Sequence, residues 1–144
     1  MTNREQKQKV VILGNQLAKT MPRTRAFLTA WKVIKAGGLT VPVKGVTFAN
    51  RQEALRRLTT YNPGMVRTVL IPEPLNPVDP HAIAIMTGIQ NGRGLYKVGY
   101  IPVNQTAVVK ALPQQFVNLK IVSGVWRYKG HDRVSYGARL LLSC

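Results

Sequence analysis

The first 36 residues show a helical alternation of apolar and polar positions. Met21 and Pro22 interrupt it, so the pattern predicts two helices, over residues 4–19 and 24–35. Thr24 is the expected N-cap of the second helix, and Gly37 followed by Gly38 is its expected stop. The apolar side chains recur at intervals of three and four, which places them on one face: Val10, Leu13, Leu17, Phe27, Trp31 and Ile34.

The rest of the chain alternates short β-branched runs with turn residues. Such runs occupy residues 39–47, 65–71, 82–87, 95–101, 116–127 and 133–142. Six short strands at this spacing favour a sandwich or a small barrel. The chain therefore divides into a basic helical segment over residues 1–38 and a mainly β domain over residues 39–144.

Two further helices are predicted between the strands. Asn50 and Glu53 have the spacing of a capping box, and apolar residues follow at helical spacing. Asn104 is the expected N-cap of the other helix, which ends before Pro113. The predicted fold class is mainly β with α, with two interspersed helices and an N-terminal helical pair.

The charge of the chain is strongly one-sided. Its 144 residues are 45% hydrophobic, enough for one packed domain, but 21 Lys and Arg face five Asp and Glu, giving a net charge of +16. Ordinary surfaces mix both signs, whereas surfaces that follow a phosphate backbone do not. We therefore expect a polyanionic partner, with nucleic acid first and a membrane surface second. Since neither a long apolar run nor a signal core is present, we expect a cytoplasmic protein without a membrane partner.

Few residues could support catalysis. The single cysteine is Cys144 and the histidines are His81 and His131, so neither a disulfide nor a zinc-ligand spacing is expected. The five acids are scattered, and phosphate-loop and nucleophile-elbow motifs are missing. Residues 92–94 are interpreted as a hairpin turn, and residues 79–81 as a turn into the next strand. We expect no cofactor and no enzymatic activity.

Three segments of the chain carry a resemblance to a known family. They are residues 43–53 (VKGVTFANRQE), 70–85 (LIPEPLNPVDPHAIAI) and 98–102 (VGYIP). Together they resemble the HIRAN domain, over about residues 41–142. The resemblance implies an OB-like β-barrel of about six strands. In relatives fused to helicases that rescue stalled replication forks, this domain captures the free 3′ end of single-stranded DNA, and standalone copies occur in bacteria and phages.

The resemblance also implies site residues. Phe48 lies where the family has an aromatic that stacks on the terminal base, and Asn76 and Asp79 match its Asn-Pro-x-Asp turn. A carboxylate at Asp79 accepts a hydrogen bond from a terminal 3′-hydroxyl and repels phosphate. The same two residues also suit an Asx-type turn before the strand at Ala82, and the two roles are compatible.

Two positions depart from the family pattern. Thr47 stands where relatives carry a basic residue, and Val78 stands where they carry an aromatic. Other basic residues are candidates to replace the lost charge, and Tyr100 lies in the third matching segment. The candidate DNA-binding set is therefore Lys44, Thr47, Phe48, Arg51, Asn76, Val78, Asp79, Lys97 and Tyr100.

We accordingly expect a module that binds single-stranded DNA at free 3′ ends in DNA repair, recombination or replication. RNA is an alternative partner, because a net positive charge does not discriminate between the two nucleic acids. A second alternative is a protein-interaction module that recruits or inhibits a helicase, nuclease or other repair enzyme. In either case the N-terminal helices are the expected surface for a protein partner.

Overall fold

A computed structural model describes residues 2–46, 49–90, 92, 94–112, 116–128 and 130–143. Within these ranges the chain forms four α-helices and six strands. Short 3₁₀ turns occupy Pro63–Met65 and Val103–Gln105. In chain order the main elements are α1 (Asn3–Leu17), α2 (Arg23–Lys35), β1 (Gly38–Pro42), α3 (Ala49–Leu58), β2 (Val66–Pro72), β3 (Ile83–Ile89), β4 (Tyr96–Tyr100), α4 (Thr106–Ala111), β5 (Phe116–Tyr128) and β6 (His131–Ser143).

The strands form two antiparallel sheets of three strands each. One has the order β1-β6-β5 and the other β2-β3-β4. In the described part of the chain, one antiparallel bridge, between Lys44 and Tyr100, joins them. The six predicted strands and their mixture with helices are confirmed. Within the described ranges, however, the sheets do not close into a barrel, so the OB-like barrel is not confirmed.

The N-terminal helices form at the predicted positions but are capped differently. Thr2 and Glu5 form a capping box at the start of α1, with both side-chain to backbone distances at 3.2 Å. The N-cap of α2 is Pro22, which offers no side-chain acceptor, so the prediction for Thr24 is wrong. The predicted stop is confirmed, because Gly37 has a φ of +78°, the left-handed conformation that glycine adopts freely after a helix.

The caps predicted for the two later helices are also wrong. α3 begins at Ala49, so Asn50 lies inside its first turn, and the Glu53 carboxylate pairs with Arg56 and Arg57 further along the helix. Asn104 lies in a 3₁₀ turn, and α4 begins two residues later without a side-chain cap. In both places a residue type that favours caps lies close to the helix start but not at the N-cap position.

One apolar core extends from the helical pair into the sheets. Leu13 and Leu17 of α1 belong to the same buried cluster as Val41, Ile85 and Leu140 of the strands. Of the predicted apolar face, four residues are buried and the two aromatic residues are partly exposed. The helical pair over residues 1–38 therefore contributes to the core of the β domain. No helix in the described ranges is both long and apolar enough to cross a membrane.

We predict that Leu17→Ala lowers the free energy of unfolding by about 2–5 kcal/mol, because the side chain is fully buried in this shared core. Ile12→Ala on the exposed side of the same helix is the control and should change it by less than about 0.5 kcal/mol. Denaturant unfolding followed by circular dichroism measures both. Two separate transitions in the wild-type protein would contradict a shared core.

Candidate nucleic-acid interface

A bulge in β4 brings two polar side chains to the same face of the sheet. Lys97 pairs with Met86 and Tyr100 pairs with Ala84, and the register shifts between these pairs. Side chains alternate along a strand, so Ala84 and Met86 share a face of β3 and their partners share it with them. Residues three apart would point to opposite faces of a regular strand. The extra residue of the bulge therefore places Lys97 beside Tyr100.

Glu73 lies at the centre of a hydrogen-bonded group that we call the Glu73 cluster, formed by Glu73, Asn76, Lys97 and Tyr100. The Lys97 Nζ is 2.6 Å from Glu73 Oε2, and it also donates to the Tyr100 hydroxyl over 2.9 Å. That hydroxyl donates in turn to Glu73 Oε1, at 2.9 Å. The amide nitrogen of Asn76 donates to the same oxygen over 3.0 Å. The carboxylate thus ties the strand β4 to the loop that follows β2.

The cluster holds Glu73 and Lys97 in their charged forms. Hydrogen bonds from Lys97 and then Asn76 lower the pKa of Glu73 from 4.5 to about 2. The hydrogen bond to Glu73 raises the pKa of Lys97. At neutral pH the ammonium is therefore compensated by its carboxylate partner. Lys97, predicted as a replacement phosphate contact, supplies little net positive charge here.

The loop over residues 73–82 is held by its own polar groups. Asn76 Oδ1 accepts from the backbone amides of Val78 and Asp79, at 2.9 and 3.1 Å. Asp79 Oδ1 accepts from the amide of His81 at 2.8 Å, and the Asp79 carbonyl accepts from Ala82 at 3.1 Å. The Asx-type turn considered from the sequence is therefore present. It leads into β3, as predicted for residues 79–81.

This fixed loop presents two kinds of side chain to solvent. Leu75 and Val78 are 94% and 92% exposed, although both are aliphatic. Asp79 is partly buried, and it forms no salt bridge within the described part of the chain, whereas Glu53 and Glu73 do. The second oxygen of the Asp79 carboxylate is thus a candidate acceptor for a donor on a ligand.

Two further basic residues, Lys44 and Arg51, contact Tyr100. The backbone of Lys44 donates to the Tyr100 carbonyl at 2.9 Å and accepts from its amide at 2.8 Å, and the Lys44 side chain is exposed. The Arg51 guanidinium lies 5.5 Å from the centre of the Tyr100 ring and donates to the Gly45 carbonyl at 2.7 Å. A cation and an aromatic ring are thereby placed together.

Gly99 makes this approach possible. A Cβ atom at this position would lie 2.4 Å from the Lys44 carbonyl oxygen and 2.4 Å from a methyl group of Val43. Such distances are impossible, so only glycine allows the two backbones to pair here. Its role could not be read from the sequence, because the neighbour it admits lies more than 50 positions earlier.

The structure brings together most of the predicted site. Lys44, Arg51, Lys97 and Tyr100 are adjacent, and Asn76 is joined to them through Glu73. Val78 and Asp79 lie on the loop that Asn76 holds. Thr47 and Phe48 lie outside the described residues, so their predicted contacts stay predictions.

Two residues that organise the site were not among those predicted. Glu73 belongs to the matching motif, three positions before Asn76, and it is one of only five acids in a strongly basic chain. Gln52 donates to the carbonyls of Val46 and Tyr136 at 2.6 and 2.7 Å and accepts from the Tyr136 amide at 2.8 Å. It joins α3 to β6, and nothing in its local spacing indicates this.

No family model, curated protein or solved structure matches this chain. The features that bear on function are therefore those of the chain itself, namely the Glu73 cluster, the fixed loop and the basic side chains beside Tyr100.

We predict that the contribution of Glu73 to stability is lost in acid. Its folded pKa of about 2 lies below the unfolded value of 4.5, so the ionised group stabilises the fold above pH 4.5 and this stabilisation disappears as the pH falls toward 2. The difference in the free energy of unfolding between wild type and Glu73→Gln should shrink over that interval. A difference independent of pH, or a Glu73 titration near 4.5 by NMR, would contradict the pairing.

Proposed function

We propose that this chain is a non-enzymatic nucleic-acid-binding module that engages single-stranded DNA at a free 3′ end. The observation that carries the proposal is the link through Glu73 between the loop that contains Asp79 and Tyr100, which pairs with Lys44 and lies beneath Arg51. This surface combines a carboxylate acceptor, a planar ring and two cations. These are the groups needed for a terminal hydroxyl, a base and a phosphate.

The carboxylate supports recognition of a strand end. A 3′-hydroxyl donates a hydrogen bond to Asp79, and a bond to an ionised acceptor is stronger than one between neutral groups. An internal nucleotide carries a phosphate at the same position, and two negative charges repel each other. Because the turn hydrogen bonds already orient Asp79, little ordering is needed when the end binds.

The cations support binding of the backbone near that end. Lys97 is compensated by Glu73, so we assign the phosphate contact to Lys44, whose side chain is exposed. The net charge of +16 adds long-range attraction for a polyanion. Tyr100 is oriented through its hydroxyl, and the charged groups of Arg51 and Lys97 lie 5.5 and 5.0 Å from the centre of its ring.

The HIRAN resemblance of the sequence supports the same function. On this proposal the two sheets joined at Lys44 and Tyr100 are an open variant of an OB-like barrel. The role in repair, recombination or replication follows from the same resemblance.

A second candidate function is recruitment of a repair or replication enzyme by the helical pair. It is favoured by exposed apolar side chains on both helices, Val11 and Ile12 on α1 and Leu28 on α2. These two functions use different surfaces and are compatible. Binding of a purified helicase or nuclease that persists after nuclease treatment and is lost in Ile12→Glu would support it.

We predict a steep salt dependence of DNA binding. If about four to six phosphates are neutralised, log affinity should fall with log salt at a slope of about −3 to −4, since each single-strand phosphate contributes about −0.7. Fluorescence anisotropy with matched DNA, RNA and duplex oligonucleotides measures this slope and the preference between them. A flat response would contradict nucleic-acid binding, and tighter binding of RNA would make RNA the partner.

We further predict that Asp79→Asn removes the preference for a 3′-hydroxyl over a 3′-phosphate end. The amide oxygen still accepts from the His81 amide, so the turn persists, but the negative charge is gone. Glu5→Gln is the matched control, because it changes net charge equally on distant α1 and glutamine also suits a capping box. Equal affinity of wild type for both ends and for internal segments would exclude end recognition.

A further inference from the structure

A groove separates α3 from the hairpin that joins β3 to β4. Its volume is about 390 Å³, and it runs along α3 from Asn50 to Leu58. Two tyrosines border it. Tyr61 follows α3, Tyr96 begins β4, and they are 43% and 63% exposed. Other described residues that line it include Glu53, Arg57, Ile89 and Gly94.

We propose that this groove is a second subsite that stacks one base of the bound single strand. It rests on the proposed function and extends it from the strand end to an upstream nucleotide. An exposed aromatic ring offers a flat surface on which a base can stack, and every base has such a face. The apolar floor formed by Leu58 and Ile89 suits the same partner.

Two glycines of the hairpin, Gly88 and Gly94, have different roles. A Cβ at Gly88 would lie 2.4 Å from the Gly94 carbonyl oxygen, so packing within the hairpin requires glycine there. A Cβ at Gly94 would meet nothing within 4 Å, and its φ lies outside the left-handed region. Neither packing nor backbone geometry demands glycine at position 94. Its missing side chain leaves room beside the groove.

The charge around the groove favours a phosphate-bearing occupant. Glu53 lies in the wall, but it is paired with both Arg56 and Arg57, and hydrogen bonding by Arg56 lowers its pKa to about 2. Two cations for one carboxylate leave the wall positive. Arg67 lines an adjoining recess beside Gly92 and Gly94. A nucleic-acid strand, whose phosphates are negative, is therefore attracted to this face, and the two tyrosine rings stack on its bases.

The position of the groove fits a continuous strand path. Arg51, near the start of α3, lies over Tyr100, and the groove runs along the same helix from Asn50 toward Tyr61. Tyr96 and Tyr100 pair with Thr87 and Ala84, three positions apart on β3, so they lie about 10 Å apart at roughly 3.3 Å per residue and on opposite faces of the sheet. Because β4 is the edge strand of its sheet, a DNA strand whose end lies at Asp79 can follow α3 and cross the edge of β4 into the groove. Small β-folds that bind single strands contact about 4 to 16 nucleotides, which accommodates this span.

The test measures binding of a single-stranded octanucleotide by fluorescence anisotropy. Tyr96→Ala and Tyr61→Ala should each weaken it by about 5- to 100-fold, the loss expected for one stacked base. Tyr96→Phe and Tyr61→Phe keep the rings and should bind like wild type. Gly94→Val should weaken binding by filling the groove, while Gly124→Val is its control, since that position also has open space. Circular dichroism verifies the fold of each variant.

A scan with a single abasic site at successive positions locates the stacked base. In the wild-type protein an abasic site at one upstream position should weaken binding. In Tyr96→Ala the same abasic site should weaken binding no further, because the base and the tyrosine ring belong to the same contact. If the tyrosine and Gly94 variants bind like wild type, the groove is not a subsite and the proposed function stands. If wild type binds no oligonucleotide, both are wrong. If an RNA octanucleotide binds more tightly than DNA and loses affinity equally in these variants, RNA is the occupant. If the protein binds a free mononucleotide tightly but no oligonucleotide, the strand path is wrong.

Discussion

The backbone pairing of Lys44 with Tyr100 is the contact on which the arrangement of the molecule depends. It pairs the backbone just after β1 of the β1-β6-β5 sheet with β4 of the β2-β3-β4 sheet, and it exists because Gly99 has no side chain to separate the two backbones. The same pairing sets Arg51 over Tyr100 and Lys44 beside it. One close backbone approach therefore produces both the joint between the sheets and the basic side of the candidate interface.

The Glu73 cluster adds order rather than much stability. A partly exposed ion pair contributes little to the free energy of folding, since solvent screens it and two long side chains lose freedom. Its effect is on position, because one carboxylate receives donors from the strand β4 and from the loop after β2. The loop is then fixed at one end by Glu73 and internally by Asn76 and Asp79. Binding groups held in this way need little rearrangement when a ligand arrives.

Periodicity along the chain was enough to predict the elements, but not how they meet. The helices around Leu13 and Ile34 and all six strands follow from spacing, because each depends on neighbours a few residues away. Helix starts were missed at Thr24, Asn50 and Asn104, where several polar residues compete and the surrounding packing chooses between them. The adjacency of Lys97 and Tyr100 depends on the strand register, and the groove beside Tyr96 depends on how α3 packs. Neither is encoded in local sequence.

The contact between Lys97 and Tyr100 depends on the spacing of the chain as well as on residue type. A substitution at Lys97 or Tyr100 changes one set of contacts and leaves the others in place. Removing one residue between them would remove the bulge and leave the two residues two positions apart, so a regular strand would still hold both side chains on one face. Lys97 and Tyr100 can therefore meet at a spacing of three with the bulge or at a spacing of two without it, whereas a spacing of three in a regular strand would separate them.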